Sequence, residues 1–287
     1  MLPQFDLVEP RSLKDALDVL AEQAGSTVPL AGGTNVLVDM RTGRRTADRL
    51  VSLQHLGELR GLGKANGEVV LGARTTLTDL VYDPRIGEAA PALASAARVF
   101  AGAMVRNVAT IAGNVCSASP AADLVPPLMT LGATVVLKSR GGERTVPLDQ
   151  FYPVLHEIAR RKDELVTAFR WPKRPDRSAH AFYKLALRKG DAITVTSVAV
   201  LLGAEGGKCT SARIALGAVA PTVMRVPEAE RILVGAALTD AVLAKAASLA
   251  QEACRPIDDI RASAEYRRHA VGVLVRRLVA EAWERVR

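Results

Sequence analysis

Two glycine-containing stretches decide the fold of this chain: Ala31-Gly32-Gly33-Thr34-Asn35 and Thr110-Ile111-Ala112-Gly113-Asn114. Because glycine has no Cβ atom, it permits close approach and positive φ, so that several backbone N–H groups can converge on one point. Converging N–H groups at the start of a helix bind anions. One such stretch is typical of an ordinary tight turn. Two of them in one domain favour a ligand that carries two phosphates, such as a pyrophosphate.

The region before residue 175 is predicted to mix helices and strands. Ser12 and Asp15 form a capping pair at the start of an amphipathic helix at residues 12–23. Residues 61–67 resemble the start of a dinucleotide fingerprint, but they lack its third glycine and lead into a strand, so we interpret them as a turn. The other predicted strands are at 28–31, 49–53, 68–73, 133–139 and 165–171, and the other helices are at 76–81 and 90–100.

The region after residue 175 has a different order of elements. Residues 172–177, Pro-Lys-Arg-Pro-Asp-Arg, have the composition of a linker. Strands followed by helices indicate an α+β unit, and we expect two domains, residues 1–175 and 176–287. The predicted strands are at 181–187, 192–202 and 211–218, and the helices that follow them are at 227–235, 239–255 and 266–286.

The composition is that of a globular protein. The 287 residues include 49% apolar and 24% charged side chains, which excludes fibres, disulfide-rich miniproteins and membrane channels. The net charge is +8, but acidic residues lie among most of the basic ones and only 4% of residues are aromatic. We therefore expect no nucleic-acid partner. The longest apolar stretch, near residues 192–204, is too short to span a membrane, and the start of the chain carries no secretory signal.

The sequence contains no recognisable metal site or nucleophile motif. HExxH, GxxxxGK[ST] and GxSxG are all absent, and the four histidines are scattered. Cys116, Cys209 and Cys254 are odd in number, have no CxxC spacing and are too few to hold an iron–sulfur cluster by themselves. We expect a cytoplasmic chain that carries no metal and no catalytic acid, base or nucleophile.

The second glycine stretch belongs to a longer motif. Arg106-Asn107-Val108-Ala109-Thr110-Ile111-Ala112-Gly113-Asn114 is followed by Ala118-Ser119-Pro120-Ala121-Ala122-Asp123. With the first stretch, these residues resemble the FAD-binding medium subunit of the molybdenum hydroxylases, the family of xanthine dehydrogenase and carbon monoxide dehydrogenase. The resemblance covers almost the whole chain. It implies an α+β fold, in which a two-subdomain FAD-binding fold of the PCMH type (about 1–58 and 59–175) precedes a C-terminal three-stranded antiparallel sheet with a helical layer.

The resemblance also implies which residues bind FAD. Both glycine turns would wrap its pyrophosphate. Asp123 would accept hydrogen bonds from ribityl or ribose hydroxyls, unless it is only a helix cap ahead of residues 124–131. Lys184 would stabilise negative charge on the flavin from the second domain, unless it is an exposed strand lysine. The full set is Ala31, Gly32, Gly33, Thr34, Asn35, Phe100, Thr110, Ile111, Ala112, Gly113, Asn114, Asp123, Leu165 and Lys184.

The resemblance implies particular roles for Phe100 and Leu165, and the sequence departs from the family pattern at Ala112. Phe100 would lie close to the flavin ring, with a core phenylalanine as the alternative. Leu165 would contact the cofactor through its main chain and by packing. Ala112 stands where the family usually has glycine; if that position needed positive φ, alanine would cost about 1 kcal/mol there.

The function implied by the resemblance is electron transfer. Substrate would be hydroxylated at a molybdopterin cofactor on a large subunit. Electrons would pass through 2Fe–2S clusters on a small subunit to FAD on this chain, and then to an external acceptor. The implied assembly is a heterohexamer, a dimer of three-chain units. Two alternatives stay open: a free-standing FAD-dependent reductase of the same wider fold, and a non-redox module that binds anions or nucleic acid through its basic surface.

Overall fold

The computed structural model describes residues 2–22 and 26–287. Short 3-10 turns lie at Gly57–Leu59 and Leu148–Gln150. The strands are β1 (Asp6–Val8), β2 (Thr27–Leu30), β3 (Arg49–Ser52), β4 (Leu62–Ala65), β5 (Glu68–Gly72), β6 (Thr134–Ser139), β7 (Gly142–Pro147), β8 (Leu165–Pro172), β9 (Ser178–Ala186), β10 (Thr194–Glu205), β11 (Lys208–Gly217) and β12 (Met224–Arg225). The helices are α1 (Leu13–Glu22), α2 (Val36–Arg41), α3 (Leu77–Tyr82), α4 (Pro84–Ala89), α5 (Pro91–Arg98), α6 (Ala103–Val108), α7 (Ile111–Cys116), α8 (Val125–Leu131), α9 (Pro227–Leu233), α10 (Asp240–Ala253) and α11 (Ala264–Val286).

A small parallel sheet with the order β1-β3-β2 begins the fold. Helix α1 buries one apolar stripe in the core beside β3, as expected of an amphipathic surface helix. The Asp15 N–H donates to Ser12 Oγ at 3.1 Å, so the predicted helix and its cap are confirmed. Gln23, the last residue of the predicted helix, lies outside the described residues.

A five-stranded antiparallel sheet with the order β4-β5-β8-β6-β7 follows. Helices α3 to α8 come between β5 and β6 in the chain, and their apolar side chains share one core with this sheet. Strand β8 is central and almost entirely buried, with Phe169 and Trp171 fully enclosed. The helical insertion therefore packs against a rigid sheet, and it carries the second glycine stretch.

The prediction of a turn at residues 61–67 is wrong in part. Leu62–Ala65 is strand β4, and only Asn66 and Gly67 form the turn, with φ of 51° and 79°. Two central residues with positive φ between paired antiparallel strands make a two-residue hairpin. The glycines that suggested an irregular segment lie within or beside an exposed edge strand instead.

Several short elements escape prediction from the sequence pattern: β1, β7, α4, α6 and α7. Each of these three helices has six residues, which is too few to show helical periodicity. Strand β7 is mostly exposed and polar at the edge of its sheet, so it carries no apolar alternation. Helix α7 matters most for function, because it is built from the second glycine stretch.

An antiparallel sheet with the order β12-β11-β10-β9 lies beyond the linker. The three long strands and the three helices α9 to α11 are confirmed, and the two-residue strand β12 adds a fourth, short member. Strand β10 is buried along both faces because α11 packs on one of them and α8 on the other. Among the residues described, no helix has the length and apolar character that crossing a bilayer requires.

The C-terminal sheet is also joined to α8 by buried polar contacts. The Thr130 hydroxyl donates to the Pro127 carbonyl at 2.8 Å, so its oxygen accepts from Nε2 of His180, 2.9 Å away. Arg213 Nη1 donates to the Thr130 carbonyl at 3.2 Å. Burial lowers the pKa of His180 to about 3, so the ring stays neutral near pH 7. These contacts hold β9 and β11 against the part of the chain that carries the glycine stretches.

Candidate cofactor-binding site

The first glycine stretch is the connection between β2 and α2. Gly33 has a φ of +73°, a conformation that favours glycine. Within the described part of the chain, the N–H groups of Gly32, Gly33, Thr34 and Asn35 donate to no other protein group. Asn35 is exposed and is the N-cap residue of α2, where it makes no capping bond with its side chain. This turn therefore offers N–H groups that have no partner among the described residues, and such donors suit an anionic ligand.

The first stretch lies directly against the residues that immediately precede the second one. A Cβ atom placed on Gly32 would come within 2.0 Å of the Val108 carbonyl oxygen and 2.6 Å of the Val108 carbonyl carbon. Glycine is required here because two segments of backbone meet without room for a side chain. The two turns, which are far apart in sequence, are therefore neighbours in space, as a shared ligand requires.

The second stretch is more self-contained than the first. Thr110 is the N-cap residue of α7, and its hydroxyl oxygen accepts from Gly113 N–H at 3.1 Å. The Ile111 and Ala112 N–H groups donate to the Thr75 and Ala73 carbonyls at 3.0 and 3.1 Å. Because these N–H groups already have acceptors within the protein, they are not available to a ligand. The second turn can contact a ligand mainly by packing against it.

Ala112 lies inside α7 and is not among the residues with positive φ. Alanine would be costly at this position only if it required positive φ, and it does not. We expect Ala112→Gly to leave FAD affinity unchanged and to lower the free energy of unfolding by about 1 kcal/mol or less, since glycine is the poorer helix former. Flavin fluorescence titration and urea unfolding of the variant would check both values. A variant that binds FAD markedly more tightly would contradict this interpretation.

Asn114 connects the second stretch to Asp123. Its side-chain oxygen Oδ1 accepts from the Leu124 N–H at 3.1 Å, which holds the end of the Ala-Ser-Pro-Ala-Ala-Asp segment against α7. The N-cap residue of α8 is Leu124, and no side chain caps that helix. The alternative interpretation of Asp123 as a helix cap is therefore wrong, because its carboxylate has other partners.

Asp123 forms a buried ion pair with Lys184. The Lys184 Nζ atom lies 2.7 Å from Asp123 Oδ2, and the two side chains are 5% and 6% exposed. The Thr194 hydroxyl donates to the other oxygen, Oδ1, at 2.5 Å. Burial raises the pKa of the Asp123 carboxyl, although Lys184 and Thr194 act in the opposite direction. Lys184 is thus not an exposed strand lysine, and it does not stand alone as a cation.

Phe100 lies next to this ion pair. Lys184 Nζ also donates to the carbonyl of Val99 at 3.3 Å. Arg106 Nη1 donates to the Phe100 and Ala101 carbonyls, both at 2.8 Å, and Ala101 has a φ of +35°. The Phe100 ring is partly buried against the core, so it keeps an accessible part. The loop between α5 and α6 is therefore held in one conformation by its own arginine.

Leu165 is placed differently from the other predicted residues. Its side chain is 3% exposed and belongs to the core formed with α1 and β3. Only its main chain, at the start of β8, could contact a ligand. Its role in binding stays a prediction.

The structure therefore arranges most of the predicted residues as one row of contacts. The row runs from the first turn to Val108 and Ala109, which precede the second turn, and through Asn114 to Leu124, the neighbour of Asp123. It continues from Asp123 to Lys184, and from there to the carbonyl of Val99, the neighbour of Phe100. Thr194 and Arg106 take part without having been predicted. The Arg-Asn-Val-Ala-Thr motif contains Arg106, so that residue could have been found; nothing local to Thr194 marks it. Across the described residues, no cluster of His, Cys, Asp and Glu side chains could hold a metal ion.

Comparison with known proteins identifies the family. A family model described as the FAD binding domain in molybdopterin dehydrogenase matches residues 3–174. The chain belongs to this family. A second model, the CO dehydrogenase flavoprotein C-terminal domain, matches residues 181–282. The predicted family, the cofactor FAD and the class, a flavoprotein oxidoreductase subunit of a molybdenum-dependent dehydrogenase, are confirmed.

The relatives of this FAD-binding chain match it over most or all of its length. The carbon monoxide dehydrogenase medium chain of Afipia carboxidovorans is 35% identical, and the alignment covers 100% of both chains. A putative xanthine dehydrogenase FAD-binding subunit of Escherichia coli is 32% identical over 94% of this chain and 93% of that protein. A solved carbon monoxide dehydrogenase of Hydrogenophaga pseudoflava, described as lacking the Mo-pyranopterin moiety, superimposes with a TM-score of 0.96 at 32% identity, covering 100% of both chains. The predicted fold class is confirmed.

The residues present fit FAD. The first turn supplies four N–H donors that have no partner among the residues that the structure describes, and such donors suit the oxygens of a pyrophosphate. The row of contacts continues to a carboxylate, a lysine and an aromatic ring, which suit the hydroxyls and the ring of a flavin. An elongated dinucleotide is the kind of ligand that such a row accommodates.

Proposed function

We propose that this chain is the electron-transfer flavoprotein subunit of a molybdenum-containing hydroxylase. When bound, FAD supplies the redox chemistry by which electrons from 2Fe–2S clusters on a partner chain reach an external acceptor. The observation that carries the proposal is the single row of contacts from the first glycine turn to Lys184, in a chain of this family. The partners are a small iron–sulfur subunit and a large subunit with the molybdopterin cofactor, in a dimer of three-chain units.

Several features support this assembly. The medium chains named among the relatives are components of multi-subunit dehydrogenases, and this chain matches them from end to end. The described residues contain no group that could hold a metal. In this proposal the metal centres lie on the partner chains. The domain limits at about 58 and 175 and the cytoplasmic location belong to the same proposal.

The two turns have different tasks in this proposal. The free N–H groups of residues 32–35 bind the pyrophosphate, and the side chains of Thr34 and Asn35 add further donors. The second turn cannot contribute most of its N–H groups, since they have protein acceptors. The second turn packs against the ligand, and it keeps the Asn114 side chain oriented toward the Leu124 N–H.

The remaining residues orient the flavin end of the ligand. Asp123 and Lys184 present a carboxylate and an ammonium group at fixed positions, because each is held by further bonds. Asp123 partly neutralises Lys184, so we assign Lys184 to positioning as well as to charge stabilisation. Phe100 limits the space available to the ring. None of these residues acts on the organic substrate.

The absorption spectrum of the purified full-length chain tests this function. After incubation with FAD and gel filtration, we expect flavin absorption bands in the protein fraction and release of FAD on boiling. Addition of a chemically reduced iron–sulfur subunit should bleach these bands, and NADPH added to the chain alone should not. Bleaching by NADPH alone would favour the free-standing reductase. A colourless protein at FAD concentrations far above the micromolar range would contradict the proposal.

A further inference from the structure

Strand β10 contains a bulge close to the flavin site. Thr194 pairs with Ala186 of β9 and Thr196 pairs with Leu185, so Val195 is one extra residue in β10. A bulge interrupts the ladder of hydrogen bonds and turns the neighbouring side chains, and such bulges are common near functional sites. Here the side chain that is redirected belongs to Thr194.

Two arginines hold the bulge: Arg261, in the connection between α10 and α11, and Arg267, on α11. Arg261 Nη1 donates to the Thr194 carbonyl at 3.2 Å, and Arg267 Nη1 donates to the Val195 carbonyl at 2.5 Å. Both guanidinium groups bind Asp259, with distances of 2.5 and 2.7 Å. Hydrogen bonds from Arg261, in particular, hold the pKa of Asp259 well below its usual range. The two carbonyls at the bulge therefore have charged donors in place of a regular ladder.

The bulge places the Thr194 hydroxyl against the ion pair between Asp123 and Lys184. Thr194 is 1% exposed, and its hydroxyl lies 2.5 Å from Asp123 Oδ1, which leaves Oδ2 for Lys184. Arg267 is also 1% exposed, so a charged side chain is buried to support this geometry. Burying charge is costly unless the partners are closely arranged. Such an arrangement serves geometry rather than stability.

We propose that the bulge at Val195 makes Thr194 a positioning residue of the flavin site, which acts on Lys184 through Asp123. This inference rests on the proposed function. The torsion that orients a carboxylate is broad, so Asp123 needs a second partner to present one chosen oxygen to Lys184. Thr194 is that partner. Arg261 supports it by fixing the Thr194 main chain.

The test compares three full-length variants with wild type: Thr194→Val, Thr194→Ser and Thr196→Val. Valine has nearly the shape of threonine but lacks the hydroxyl, whereas serine keeps it. Thr196 is a matched control, because it lies on the same strand, is 0% exposed and bonds only weakly to Gly217, at 3.4 Å. The measurements are the FAD dissociation constant, the absorption maxima of the bound flavin and urea unfolding without FAD.

We expect Thr194→Val to weaken FAD binding about tenfold, the effect of losing one hydrogen bond to a charged group, and to shift the flavin absorption maxima. Thr194→Ser should restore both, and Thr196→Val should change neither. Equal weakening by the two valine variants, or wild-type affinity and spectrum in Thr194→Val, would overturn the positioning role while leaving FAD binding intact. Wild type without FAD binding would overturn the proposed function and this inference together.

A second variant covers the case in which Thr194→Val fails to fold. Arg261→Gln removes the charged support of the Thr194 carbonyl but keeps the hydroxyl. We expect a smaller loss of affinity, about threefold, with a spectral shift in the same direction. Arg276→Gln is its control, because Arg276 lies on α11 in an exposed pair with Asp240. Unchanged FAD binding and spectrum in Arg261→Gln would count against the proposal.

Discussion

Replacing Gly32 by alanine is expected to abolish FAD binding by this chain. The added Cβ would lie 2.0 Å from the Val108 oxygen, so one of the two glycine turns would have to move. Both neighbours are backbone and cannot rotate away. A displacement of about 1 Å in a positioned site can cost about a hundredfold in function. We therefore expect FAD affinity to fall at least that much, as measured by flavin fluorescence titration.

Gly57→Ala is the matched control for this substitution. Gly57 has negative φ, and a Cβ placed on it meets nothing within 4 Å. This variant should bind FAD like wild type. Urea unfolding should also show that Gly32→Ala loses about 1 to 3 kcal/mol through overpacking. If Gly32→Ala retained wild-type affinity, the contact between the two turns would have no role in binding.

Replacing Lys184 by methionine is expected to have the second largest effect. Lys184 and Asp123 are almost fully buried, so removing the lysine leaves a carboxylate without its cation in a poorly solvated site. Breaking a buried ion pair in this way typically costs about 3 kcal/mol or more. Urea unfolding at pH 8 should show this loss, and FAD affinity should fall with it. Restoration of stability in the double variant Asp123→Asn, Lys184→Met would confirm that the pair is responsible.

The stability loss in Lys184→Met should depend on pH. Burial already raises the pKa of Asp123 above its ordinary value of 3.8, so the folded protein binds that proton more tightly than the unfolded chain does. The stability that comes from this proton is present at low pH and is lost as pH rises through the raised pKa. Without Lys184 the pKa of Asp123 rises further. The free energy of unfolding of Lys184→Met should therefore be closer to the wild-type value at pH 5 than at pH 8. A loss of unfolding free energy in Lys184→Met that is larger at pH 5 than at pH 8 would contradict this prediction.

Lys14→Met is the control for the ion pair. Lys14 and Asp18 lie at a similar distance, 2.8 Å, but Lys14 is 84% exposed. Water screens such a pair, and surface pairs contribute little. The control variant should have the same unfolding midpoint as wild type at both pH values. A comparable loss in Lys14→Met would mean that burial is not the cause.

Local signals in the sequence predicted many elements of this fold. Ser12 and Asp15 marked the start of α1, and long apolar alternation marked strands β9 to β11. These signals are reliable because a cap or an amphipathic strand depends on neighbours in the chain. The hairpin at Asn66 and Gly67 was missed because its strand β4 is short and exposed. The six-residue helix α7 was missed because six residues are too few to show helical periodicity.

The candidate site was predicted mainly through its motifs. Gly33 has the positive φ that glycine permits, and within the described part of the chain the N–H groups of residues 32–35 have no protein acceptor. The family resemblance supplied Asp123, at the end of the long second motif, and Lys184, outside that motif, which composition and spacing could not have paired. The expectation that both turns offer N–H groups to a ligand is only half met, because Ala73 and Thr75 supply acceptors to the second.

What the sequence by itself determined is the family and the longer local structures, those with a cap or an apolar periodicity. What only the tertiary structure decided is which distant groups meet. Asp123 bonds with Lys184 at a separation of 61 residues and with Thr194 at 71, and Arg267 bonds with Val195 at 72. Periodicity and capping extend over one or two turns of chain, so they carry no information on such pairs. These pairs form because burial leaves a charged or polar group with only the partners that packing brings within hydrogen-bond distance.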